Sequence, residues 1–198
     1  MINRMRLLAL LALSPLAAAA ADFSDPDWPC IQRKVENLSP GLMWPQPVER
    51  AALDAEAREL AATLALRRVS LEEADGYVRA FATRSKPDEA RLGGIFLEVF
   101  ERLSNTRRRL MTGISRYSQS QIALSARIEA GRSEIAKLSA ADSPDFDRID
   151  TLEEEMDWNE RIYLDRSRAL TYVCETPVLI EKRAYAIARI LQKYLPAP

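Results

Sequence analysis

Through the second half of the chain, apolar residues return at alternating steps of three and four. The first run reads Phe96, Val99, Leu103, Thr106, Leu110, Gly113, Tyr117, Ser120 and Leu124, then Arg127 or Ile128, Gly131, Ile135 and Leu138. The second reads Ile149, Leu152, Met156, Asn159, Tyr163, Arg166, Leu170 and Val173, and resumes after Pro177 as Ile180, Ala184, Ile187, Leu191 and Tyr194. Such an alternation keeps one narrow stripe on one side of a helix, the pattern of a coiled-coil seam. Ala141, Asp142, Ser143 and Pro144 interrupt it, and the chain is expected to fold back there. One register then sets Leu138 opposite Ile149, Ile135 opposite Leu152, Leu124 opposite Tyr163 and Tyr117 opposite Leu170. The same register gathers Ser120, Gln121 and Arg166 into one polar layer. At the rise of an α-helix each arm is roughly 75 Å long.

Upstream the periods are shorter. Ala52, Leu53, Ala57, Leu60, Leu64 and Leu66 form the apolar face of a helix predicted over 48–68. Ser70 and Glu73 make a capping box for a second helix over 71–84. Pro87, Asp88 and Glu89 suit the first turn of the outgoing arm, predicted over 87–140, and the return arm is predicted over 145–195. Pro177 is expected to bend that return arm, and the Gly93-Gly94 pair to permit close helix packing. The segment 22–47 carries five prolines among Trp28, Val35, Leu38, Leu42 and Trp44. It reads as an irregular strap pinned across the helices by its tryptophans, with a turn or two of helix around Ile31 to Leu38. The two short helices span only about 30 and 20 Å, so they cover the open end of the hairpin and leave a projecting prong. The expected fold is all-α: a long antiparallel, coiled-coil-like helical hairpin with two short helices and the strap packed at its base.

The first residues read differently. Arg4 and Arg6 precede the apolar run Leu7 to Leu13, and small residues Ala17 to Ala21 offer a cleavage site. That is the layout of a secretory signal over 1–21, with a single helical domain over 48–198 following the strap. Cleavage takes away Arg4 and Arg6, leaving 26 basic against 29 acidic side chains, which disfavours nucleic acid as a partner. No further segment is apolar enough to span a membrane. The expected place is therefore the periplasm or the outside of the cell.

Histidine is absent from all 198 residues. That removes Ser-His-Asp and Cys-His catalysis and the commonest zinc and copper sites, so no cofactor and no metal are expected. Cys30 and Cys174 are the only cysteines; an exported chain would join them, two buried thiols being the alternative. Arg107, Arg108 and Arg109 form the densest basic run and face Glu175 and Glu181, which predicts internal salt bridges, with an anion or lipid-headgroup site as the other reading. Glu153, Glu154, Glu155 and Asp157 make an acidic face near the turn, solvated rather than ligating. Trp158 lies just outside the seam beside Met156, where a two-helix prong cannot bury a large aromatic. Met156, Trp158, Glu153, Glu154 and Asp157 are thus candidate contact residues for another periplasmic or envelope protein. In outline the hairpin on a helical base resembles the prongs of periplasmic chaperones and the hairpins of envelope adaptor proteins. Function reads as a non-enzymatic interaction protein, with a holdase-type chaperone or envelope adaptor as the alternative and a histidine-independent enzyme as a third.

Overall fold

The computed structural model describes residues 27–48, 50 and 52–196, so the signal-like segment over 1–21 lies outside the described residues. Among those described, the chain forms a 3-10 turn at Pro40–Leu42 and four α-helices: α1 (Ala55–Ala65), α2 (Leu71–Ser85), α3 (Glu89–Ser139) and α4 (Phe146–Gln192). The fold is all-α. α3 and α4 are the two arms of the hairpin, with α1 lying on α3 and α2 on α4 at the open end.

Each helix begins at a side chain that satisfies its free amides. Asp54, Asp88 and Asp145 accept from the backbone N–H three residues on, and Ser70 and Glu73 close a reciprocal capping box. Asp54 explains why α1 starts at Ala55 rather than at 48. Its carboxylate caps Ala57 while its other oxygen pairs with Arg91 at 2.5 Å, fixing the start of α1 to the first turn of α3. Val48 and Leu53 stay outside the helix, their side chains seated on the glycine pair of α3. A Cβ on Gly93 would meet Val48 Cγ1 at 3.3 Å, and one on Gly94 would meet Leu53 Cδ2 at 3.1 Å. The glycine pair thus admits the strap's continuation, not another helix. At its far end α1 stops at Ala65, three residues short of 68, because Leu66 turns extended. The Arg183 guanidinium then donates to the Leu64 carbonyl at 2.7 Å and the Val69 carbonyl at 2.8 Å, anchoring the turn. α4 likewise ends at Gln192, short of 195, and runs through the buried Pro177 without a break.

The main core sits at the open end. Trp44, Phe81, Phe96, Leu92, Ile95, Ile187 and Leu191 are fully enclosed there, with Trp44 stacked on Phe96 at 5.1 Å between ring centroids. Truncating such a side chain costs about 2 to 5 kcal/mol. A second, smaller core lies part-way along the hairpin, where Trp28 and the Cys30–Cys174 disulfide cover Met111 and Ile114. The strap is therefore held by Trp28 and Trp44 as expected. It carries no helix over Ile31 to Leu38, however, and Val35 and Leu42 stand exposed. Pro40 and the carbonyl pairing of Ser39 and Pro40 support only the short 3-10 turn.

That second core shifts the seam. Between Leu103 and Ile128 the buried positions of α3 are Arg107, Met111, Ile114, Ser118, Gln121 and Leu124, one place beyond most of those the alternation picks. Thr106 and Ser120 are exposed, and Leu110, Gly113 and Tyr117 are half-buried. The strap adds a third layer on one side of the two helices, so burial follows the side that three segments share. The arms stay joined along this stretch: Tyr117 Oη donates to the Arg166 carbonyl at 3.1 Å, and Arg132 pairs with Glu160 at 2.6 Å. The polar layer has different members. Gln121 donates to the Tyr163 carbonyl and the Ser167 hydroxyl, whereas the Arg166 side chain faces solvent.

Candidate functional site

The three consecutive arginines part company. Arg107 is buried, 5% exposed, and its guanidinium donates to the Val35 carbonyl at 2.6 Å and the Glu36 carbonyl at 3.3 Å. Its Nε lies 3.9 Å from Glu181, beyond hydrogen-bond reach and without a hydrogen-bond partner among the described residues. Burial holds this guanidinium below its ordinary value and Glu181 opposes that; arginine stays charged at neutral pH all the same. Arg107 is a strap anchor. Arg108 and Arg109 instead point outward, reaching only Asn105 Oδ1 at 3.0 Å and Thr106 Oγ1 at 3.5 Å. Neither pairs with Glu175, so the expected salt-bridge cluster reduces to one long contact between Arg107 and Glu181. The reason is the helical period: three adjacent residues point about 100° apart, and only one can face the other arm.

Arg108 and Arg109 line an open-sided hollow of about 800 Å³. It forms where α1 stops and α3 runs on uncovered. Ala62, Ala65, Leu66 and Leu103 supply an apolar floor, and Arg102, Arg108, Arg109 and Arg116 supply the rim. Glu98 neutralises Arg102 at 2.7 Å. No carboxylate lines the hollow, and among the described residues none pairs with Arg108, Arg109 or Arg116. Sequence reading finds Arg108 and Arg109 but misses Arg116 and the floor, because nothing in the pattern says where α1 ends relative to α3.

The contact residues expected near the turn do stand at the surface. Trp158 is 62% exposed, Glu153, Glu154 and Asp157 are exposed, and Met156 is half-buried in the seam. Trp158 also belongs to a longer stripe outside the seam. Steps of four and three lead from it through the half-buried Ile162, then Asp165, Ala169, Tyr172 and Thr176 to Leu179, a second heptad series on α4 that includes none of its buried residues. Tyr172 is 75% exposed, and Leu164, Val173 and Leu179 are open as well. Among the described residues no three acidic, histidine or cysteine side chains gather as a metal ligand set. No described helix is long and apolar enough to cross a membrane. No protein-family model, no curated protein and no solved structure matches this chain.

Proposed function

We propose that the chain is an exported, non-enzymatic interaction protein that meets an envelope or periplasmic partner through the projecting part of its hairpin. One observation carries the reading: Trp158 and Tyr172, two full heptads apart on α4, are both largely open to solvent on a side that no other described element covers. Large amphipathic rings on a rigid helix give contact area at little entropic cost, which is how anchors in interfaces work. Export is supported by the signal-like layout of Arg4, Arg6 and the run after them, and by a disulfide that persists in oxidising compartments. The want of histidine supports a binding role over catalysis.

The test is photo-crosslinking in cells, with a crosslinker placed in turn at Trp158, at Tyr172 and at the exposed Arg127 of the other arm. The expected result is one adduct of the same mass from both α4 positions and none from Arg127. Trp158→Ala should abolish the Tyr172 adduct while leaving stability within about 1 kcal/mol, the usual range for surface sites. Adducts of unrelated masses, together with suppression of client aggregation by purified protein, would favour the holdase instead. No adduct at either α4 position would overturn the reading.

A further inference from the structure

We infer that the arginine-rimmed hollow between the end of α1 and the middle of α3 binds a phosphate-bearing amphiphile: an anionic head with a short apolar chain. The argument starts from what the hollow contains. Arg109, Thr112 and Arg116 follow one another at three and four residues, so they share one face of α3 within about 10.5 Å of rise. All three line the hollow together with Arg108. A row of guanidiniums with no carboxylate among the lining residues is repulsive within itself, and the Thr112 hydroxyl between them already donates to the Arg108 carbonyl at 3.1 Å. The repulsion is relieved by an anion able to accept several hydrogen bonds, and phosphate suits the planar fork of arginine.

The other wall has opposite chemistry. Ala62 and Ala65 come from the last turn of α1 and Leu66 from its cap, beside Leu103 of α3, and they offer no polar side chain. Leu66 is the cap residue where the backbone turns extended, and it is left partly open at the edge of the hollow. The end of a helix carries partial negative charge that would discourage an anion. Here Arg183 already donates through two of its nitrogens to the Leu64 carbonyl of that last turn, blunting the charge. The head therefore sits toward Arg109 and Arg116, on the prong side, and the chain lies back over Leu66 toward the base. A volume of about 800 Å³ falls within the range of small-molecule sites, about 300 to 1,000 Å³. Arg107 takes no part, since it is turned inward onto the strap.

The probe is octyl phosphate, titrated calorimetrically into the full chain below its micelle concentration, with inorganic phosphate as the head alone and octyl glucoside as the chain alone. One octyl phosphate per chain is expected, bound at least about tenfold tighter than either part, since head and chain contribute separately. Arg109→Ala with Arg116→Ala should weaken it about tenfold or more, as loss of charge-assisted bonds requires. The Arg109→Lys, Arg116→Lys pair should fall between, keeping charge without the fork. Arg161→Ala with Arg168→Ala, on α4, should change nothing. Leu66→Asp should abolish the advantage over inorganic phosphate. Vesicles containing phosphatidic acid separate the sources: recruitment lost with Arg109 and Arg116 identifies a membrane headgroup, and binding of the soluble probe alone identifies a free ligand. The inference is overturned if no binding occurs at millimolar octyl phosphate, if octyl glucoside binds as well, or if the α4 pair weakens binding equally.

Discussion

Arg107 shows how a single side chain can hold a segment that has no secondary structure of its own. Its guanidinium reaches across to two strap carbonyls, and a charged donor to such an acceptor is worth about 1.5 to 3 kcal/mol. Arg107→Ala should lower unfolding stability by roughly that amount in denaturant titration, and should deprotect strap amides before those of α3 exchange. Glu181→Gln should cost under about 1 kcal/mol, because the carboxylate is half open and 3.9 Å away. Asp75 works similarly at the other end of the base. Its bond from Lys193, opposed by partial burial and aided by Tyr194 and Arg79, holds the carboxyl below its ordinary value of 3.8. A depressed carboxyl stabilises the fold fully above that ordinary value and loses its effect as pH falls through the folded one. Thermal melts of Asp75→Asn should therefore differ from those of the parent at neutral pH, and the difference should shrink only once pH falls below the ordinary value of the carboxyl and through its lowered folded one. Neither role was legible beforehand. Arg107 sits between Leu103 and Met111 at steps of four, yet it reads as a salt-bridge partner of Glu175 and Glu181 until the strap is known to cross it.

Among elements, the hairpin was the most legible part. The 3–4 alternation, the break at Ala141 to Pro144, the Ser70–Glu73 capping box and the first-turn run Pro87, Asp88 and Glu89 are all local signals, and α2, α3 and the start of α4 fall within two residues of where those signals put them. The start of α1 was not legible in the same way, because the apolar face reads as helical from 48 on and only the packing of Val48 and Leu53 over Gly93 and Gly94 shows why the helix waits for Asp54. The shifted seam has the same cause: a third layer leaves no periodic trace in the helices it covers. Glycines inside α3 make this testable. Gly113 and Gly131 have open space where a Cβ would go, so Gly131→Ala should stabilise the hairpin by about 0.5 to 1 kcal/mol through helix propensity alone. Gly94→Ala gains the same propensity but presses on Leu53 at 3.1 Å, and chemical denaturation should find it neutral or destabilised. The arginine hollow depends on where one helix stops beside another, so half of its wall had no signature in the sequence.

For the whole molecule the governing lengths are those of α3 and α4, 51 and 47 residues, or about 77 and 70 Å. Small-angle scattering of the monomer should give a maximum dimension of about 75 Å or more, and a particle near 50 Å would mean broken arms. The disulfide spans 144 residues of sequence and by chain entropy contributes at most about 5 kcal/mol. Denatured but unreduced protein should expose no titratable thiol from Cys30 or Cys174, and two thiols appearing there would contradict the bridge.

The place of that bridge has a mechanical consequence. Cys174 lies 28 residues along α4 from Phe146, so the arm beyond it is a lever about 42 Å long, clamped by a covalent bond where Trp28 and Met111 fill the joint. A load applied at the turn, such as a partner drawing on Trp158, would be delivered first to that clamp and thence to the strap, leaving the base packing unloaded. Reduction would move the point of support back to α1 and α2, lengthening the lever and softening it. Hydrogen exchange over 160–176 should then accelerate while the amides around Phe96 and Ile187 keep their rates.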